Sequence, residues 1–138
     1  MSFASEMLAW QKKAIKAMED KAQEIAEDAI TSLIERSPHP TGASNPSRAS
    51  PYSKGEYVNN WYVGGSVGSQ YTEALALSKE SKINELKSQI KGWFDNNKTL
   101  YIYINSPYAS KVEYFGWNDG AQAYYPIKQT VQYLESKY

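Results

Sequence analysis

Residues 3–36, FASEMLAWQKKAIKAMEDKAQEIAEDAITSLIER, set the frame for the rest of the chain. The apolar residues Met7, Leu8, Ile15, Met18, Ala22, Ile25, Ala29 and Leu33 recur at steps of three and four, the spacing of one face of a helix. Lys12, Lys13, Glu19, Asp20, Glu24, Glu27 and Asp28 fall between them and form a solvated opposite face. The run stops at Ser37-Pro38-His39-Pro40, because proline removes a backbone donor and disfavours helix at the residue before it.

Beyond that helix the pattern changes. Residues 41–53 are a Gly, Pro, Ser and Asn cluster with little to bury, which predicts a long exposed loop or arm. Residues 56–63, with Tyr57, Val58, Trp61, Tyr62 and Val63 ahead of Gly64-Gly65, predict a strand and turn, with residues 67–77 as the hairpin partner. Residues 79–94 place Ile83, Leu86, Ile90, Trp93 and Phe94 among lysines and glutamates, a second amphipathic helix capped by Ser78. Residues 99–104, TLYIYI, predict a central strand, with Leu100, Ile102 and Ile104 on one side and Tyr101 and Tyr103 on the other. Pro126 opens a terminal helix carrying Ile127, Val131 and Leu134 on one face. The order predicts an α+β fold in which a long N-terminal helix and two shorter ones pack on a small, mainly antiparallel sheet.

A chain of 138 residues suits one domain, here divided into the helix at 1–36, the arm at 37–53 and a sheet with two helices at 54–138. Basic and acidic residues balance at 15 each, so no overall field draws the protein to nucleic acid or an anionic membrane. Cysteine is absent, which excludes disulfides, thiolate metal sites and a thiol nucleophile. Neither a secretory leader nor a membrane span is legible, and the expectation is a soluble, unexported protein. Twelve tyrosines and four tryptophans outnumber three phenylalanines, so most aromatic area carries a polar tip suited to wet boundaries and subunit contacts. The tyrosines crowd the last third of the chain, where assembly contacts are expected.

Catalytic equipment is sparse. Glu113 beside Tyr108 and Tyr114 has the chemistry of a general base, yet no histidine or second carboxylate stands at a motif spacing from it. A cap or hydrogen-bond partner fixing a turn is the favoured role. His39, the only histidine, lies between two prolines. Gly64-Gly65-Ser66-Val67-Gly68 lacks the Gly-Lys-Ser/Thr ending of a phosphate loop and suits a hairpin turn. Lys79, Lys82, Lys87 and Lys91 alternate with Glu80 and Glu85, as on a solvated helix face. No enzyme activity, metal or cofactor is expected.

Two segments resemble the motifs of the bacteriophage minor tail component family. One is Ser37-Pro38-His39-Pro40-Thr41-Gly42, continued after the loop, beyond Tyr52, by Ser53-Lys54-Gly55-Glu56-Tyr57-Val58-Asn59-Asn60-Trp61. The more specific one runs through Asn105, Pro107, Tyr108, Ala109, Val112, Glu113, Gly116 and Trp117, similar to the family's Asn, Pro-Tyr-Ala, aliphatic-Glu and Gly-Trp series. Gln122-Ala123 and Thr130-Val131-Gln132-Tyr133 resemble its closing helix. The stretch 43–51 is inserted relative to the pattern, and Tyr124-Tyr125-Pro126 stands where the family has Pro-x-Gly-Met. The resemblance implies a non-enzymatic virion protein of the phage neck or tail-completion region, made in the host cytoplasm and assembled as a hexameric or dodecameric ring. Its implied partners are further copies of itself, head-closure or adaptor proteins, and tail terminator or tail tube proteins, with DNA only passing through the channel and no membrane. The motif residues are implied to define the fold and the interfaces. The rival expectation is a small monomeric module that binds carbohydrate or a host protein through exposed tyrosines.

Overall fold

A computed structural model describes residues 2–37, 55–72, 78–107, 109, 112–113 and 125–138. The arm expected at 37–53 thus lies, after Ser37, outside the described residues, as do His39, Thr41, Gly42, Tyr52, Tyr108, Gly116 and Trp117.

Helix α1 runs Phe3–Glu35 and is capped at its start by Ser2, whose hydroxyl accepts from the Ser5 amide at 3.2 Å. At its other end two side chains satisfy carbonyls that the helix leaves open. Ser37 Oγ donates to the Leu33 carbonyl at 2.6 Å, and Lys79 Nζ donates to the Glu35 carbonyl at 2.9 Å. Partial burial lowers the Lys79 ammonium below its ordinary range, opposed by the charge of Glu35.

The segment read as a strand at 56–63 is divided. Gly55, at φ 70°, turns the chain into one helical turn, α2 (Glu56–Asn59), and only Trp61–Gly64 is strand β1. Tyr57, Val58 and Trp61 are all buried, a spacing that fits a helical turn and not an alternating strand. The expected hairpin with 67–77 does not form among the described residues. β1 pairs antiparallel with β2 (Tyr101–Ile104), Trp61 opposite Ile104 and Gly64 opposite Tyr101. Among the described residues the sheet has these two strands, so β2 is an edge strand there and not the central one expected.

Helix α3 (Lys79–Gln89) begins at Ser78 as expected, the Ser78 hydroxyl accepting from the Ser81 amide at 3.0 Å. It ends short of Phe94, because Gly92 takes φ 71° and resets the chain into a 3-10 turn at Trp93–Asp95. Lys82 departs from the solvated face expected of it. It is buried, ion-paired with Glu85 at 3.1 Å, and its ammonium lies 5.5 Å from the Tyr62 ring centroid. Helix α4 (Pro126–Lys137) starts at Pro126.

The core gathers Ala26, Ile30, Leu33 and Ile34 from α1, Tyr57 and Val58 from α2, Trp61 from β1, Ile83, Leu86 and Ile90 from the α3 region, and Val112. Only the C-terminal half of α1 contributes to it. Helix α4 is fastened to that half by a buried bond between Ser32 Oγ and Thr130 Oγ1 at 2.8 Å.

A second fastening ties the end of α4 to Asp28. Its carboxylate accepts from Lys137 Nζ at 2.7 Å and from the Tyr138 hydroxyl. These hydrogen bonds, Lys137 first, hold the Asp28 carboxyl below its ordinary range. The same carboxylate pulls the Lys137 ammonium up and the Tyr138 phenol up to about 12. A depressed acid stabilises the fold above the ordinary carboxylate range, and that contribution fades as pH falls through the lowered pKa. The raised lysine and phenol contribute below their ordinary values and lose it as pH rises through the raised ones. Amide exchange at residues 134–138, corrected for intrinsic rates, is therefore expected to be flat near neutral pH and to quicken in acid and strong alkali. Asp28→Asn is expected to quicken it near neutral pH, with the difference from the parent closing in acid and in strong alkali, while leaving the core amides of α1 unchanged.

Candidate functional site

The two motif segments, some forty residues apart in the chain, meet at the end of the β1–β2 ladder. The Asn105 amide donates to the Asn60 carbonyl at 3.0 Å, one step beyond the Trp61–Ile104 pair. Both asparagine side chains then grip the segment 67–72, which runs alongside without ladder pairing. Asn105 Nδ2 donates to the carbonyls of Gly68 and Gln70 at 3.1 and 2.7 Å.

Asn60 grips the same segment from its other end and is fully buried. Its Nδ2 donates to the Glu56 carbonyl at 2.9 Å and the Thr72 carbonyl at 3.0 Å. Its Oδ1 accepts from the Thr72 amide at 3.0 Å and the Tyr62 hydroxyl at 2.8 Å. Toward Thr72 the side chain behaves as a peptide group, offering one donor and one acceptor to a backbone that offers the reverse. Two donors and two acceptor sites are all used, which offsets the cost of enclosing an amide.

Beside it, Trp61 stands edge-on to Tyr57, ring centroids 6.2 Å apart at an interplanar angle of 89°. Its indole N–H donates to Ser37 Oγ at 3.1 Å, so Ser37 joins the end of α1 to the start of β1. Tyr62 and Tyr103, on the far side of the ladder, stack at 5.8 Å. Burial, followed by the nearby Tyr103, raises the Tyr62 phenol above its ordinary range.

The second motif also reaches the core and α4. Val112 is buried against the Tyr57–Trp61 cluster. Glu113, also buried, accepts from the amides of Ile127 and Lys128 at 3.0 and 2.9 Å. These are among the open donors of the α4 N-terminus, where the residue before Pro126, Tyr125, sits at φ 51° and provides no side-chain cap. A carboxylate there meets both the amides and the positive end of the helix dipole. With both oxygens committed to backbone donors, Glu113 acts as a remote cap. Replacing it by glutamine keeps one acceptor and turns an amide NH2 toward the other donor, at a cost of about 1–2 kcal/mol. Glu113→Gln is expected to lower the unfolding free energy measured in urea by that amount and to quicken amide exchange at Ile127 and Lys128 before the core; unchanged exchange there would remove the cap from the account.

Of the other motif residues, Gly55 supplies the left-handed turn into α2, Pro107 is exposed, and Ala109 is half-buried with its amide on the Ser106 carbonyl at 3.1 Å. The sequence does not single out Ser37, Lys82 and Thr130 as fold-holding positions. Ser37 and Thr130 carry a signal, their places at the head of the first motif and of the closing-helix match; a buried lysine on a charged helix carries none.

Among the described residues no three His, Cys, Asp or Glu side chains come together, and no helix is long and apolar enough to cross a membrane. What the centre supplies is a set of satisfied amides, hydroxyls and one capping carboxylate, which is the chemistry of a joint. No family model, curated protein or solved structure matches the chain.

Proposed function

We propose that this chain is a structural subunit of the neck or tail-completion region of a tailed bacteriophage, forming with its own copies a ring between head and tail. The observation that carries the reading is the meeting of the two motif segments at Asn60 and Asn105. Asn60 and Asn105, which stand in the two segments that resemble the family motif, are joined by a backbone hydrogen bond, and the side chains of Asn60, Asn105 and Glu113 bond to the surrounding backbone and help hold the fold. Such a joint gives a rigid platform for contacts with neighbouring subunits and leaves a balanced overall charge compatible with DNA passing by. In a ring those neighbours are other copies in head-to-tail contact, with head-closure and tail proteins above and below.

The test is made on particles. In a phage carrying this gene, peptides of the chain are expected in purified virions, and deletion of the gene is expected to leave filled heads and free tails that fail to join. Joined, infectious particles formed without it, or virions lacking the chain, would overturn the proposal.

A further inference from the structure

The N-terminal half of α1 carries apolar side chains that stand exposed, covered by none of the described residues. Phe3, Met7, Leu8, Trp10, Ile15 and Met18 range from 42% to 79% exposed. At 100° per residue they fall within one arc of about 160°, while Glu6, Lys12, Lys13, Lys16, Glu19 and Asp20 occupy the opposite side. Further along the helix Ala26, Ala29 and Leu33 continue that arc into the core, while Ile30 and Ile34, also buried there, lie beyond its edge at the angles of Lys12 and Lys16. The face buried in the second half of α1 thus overlaps the exposed arc of the first half in part.

The charges say what fits there. Ala4, Leu8, Gln11, Ile15, Met18, Ala22 and Ile25 follow a heptad seam, with Lys12 and Glu19 at equivalent flanking positions one heptad apart. We propose that this half of α1 pairs antiparallel with the same segment of a second copy, Ile15 of each over Met18 of the other. In that register Leu8 meets Ile25, Gln11 meets Ala22, and Lys12 of each copy lies beside Glu19 of the other, twice by symmetry. A shift by one heptad sets Lys12 against Lys12. A parallel pair puts Lys12 beside Met7 and Glu19 beside Ala14. The antiparallel register is the one in which the charges are complementary.

The surroundings of the seam agree. A groove of about 490 Å³ opens beside it, lined by Ile15, Met18, Ala22 and Phe94 together with the polar residues Glu19, Asp95, Asn96, Asn97 and Lys98. The proposed register lays Gln11 and Ile15 of the second copy at this level and brings its Lys12 beside Glu19. A two-fold contact closes on two copies, so the inference stands apart from the ring, whose head-to-tail contacts are different surfaces.

The full-length chain tests it. Sedimentation equilibrium is expected to show a concentration-dependent dimer. Lys12→Glu and Glu19→Lys are each expected to weaken it about tenfold, and the double variant to restore it, because the exchanged charges again face their opposites. The chain contains no cysteine. An equimolar mixture of Ile15→Cys and Met18→Cys is therefore expected to form the mixed disulfide under mild oxidation in preference to either homodimer, whereas a parallel pair would link Ile15→Cys to itself. Helical circular dichroism, unchanged in these surface variants, excludes unfolding as a cause. A monomer at all concentrations, a dimer indifferent to the charge exchange, or preferential homodimer crosslinks would overturn the pairing. A larger ring indifferent to the exchange would overturn it and leave the assembly proposal intact.

Discussion

Trp61→Ala is expected to remove about 3–5 kcal/mol of folding stability, the cost of deleting a large buried aromatic whose space does not collapse. The residue is buried at the point where α1, α2 and β1 converge, so no exposed chain stands ready to fill the gap. The edge-on contact with Tyr57 goes too, as does the indole bond to Ser37. Against a typical net stability of about 5–15 kcal/mol for a domain, the loss leaves a marginal fold. Trp61→Phe separates the parts: it retains an aromatic ring but loses the N–H and some volume, at about 1–3 kcal/mol. Ser37→Ala tests the polar link from the other side and is expected to cost about 1–3 kcal/mol, since the enclosed indole donor loses its acceptor. Urea unfolding followed by far-ultraviolet circular dichroism measures all three. A Trp61→Ala loss below about 1 kcal/mol would place the ring outside the core.

How far the sequence foretells this centre depends on the range over which each decision is made. Helix α1 is legible almost to the residue because its pattern repeats over many turns and proline ends it. The starts of α3 and α4 are legible because Ser78 and Pro126 are local signals. Residues 56–63 are misread because four residues cannot separate a period of two from one of 3.6. Gly55 and Gly92, each at positive φ, then decide the outcome. The pairing of β1 with β2 is decided by contacts across the chain, and the alignment of 67–72 by two asparagine side chains. Local propensity is silent on both.

Surface and core are confused for a related reason. The periodicity of α1 shows which face is apolar but not whether the body is long enough to cover it. In the tyrosine-rich last third Tyr103 is stacked on Tyr62 and Tyr138 is bonded to Asp28, while Tyr101, Tyr125 and Tyr138 keep exposed surface. Among the described residues a further run of uncovered apolar side chains lies at the start of the long helix, from Phe3 to Met18.

Asn60→Asp is the sharper test of the joint, because it changes almost no volume and reverses the polarity of one side of the group. Both donor bonds of Nδ2 vanish, and an oxygen is set opposite the carbonyls of Glu56 and Thr72, now about 3 Å away. An ionised carboxylate at that fully buried position faces two acceptors and has lost its hydration, so the substitution is expected to cost about 3 kcal/mol or more at neutral pH. Burial and the two carbonyls favour the neutral acid, which restores one donor, so the folded pKa of the new group lies above its unfolded value. A raised folded pKa stabilises at low pH and loses that effect as pH rises through it. The stability gap between the variant and the parent should accordingly narrow as pH falls toward the carboxylate range and widen above it. Asn60→Ala, with nothing to titrate, should show a large gap, about 3 kcal/mol, that does not depend on pH in this way. Amide exchange is expected to rise first at residues 67–72 in both variants, because this segment is held by side chains and not by a ladder. If the Asn60→Asp gap proves flat with pH, or if 67–72 stays protected, Asn60 does not hold the two motif segments together.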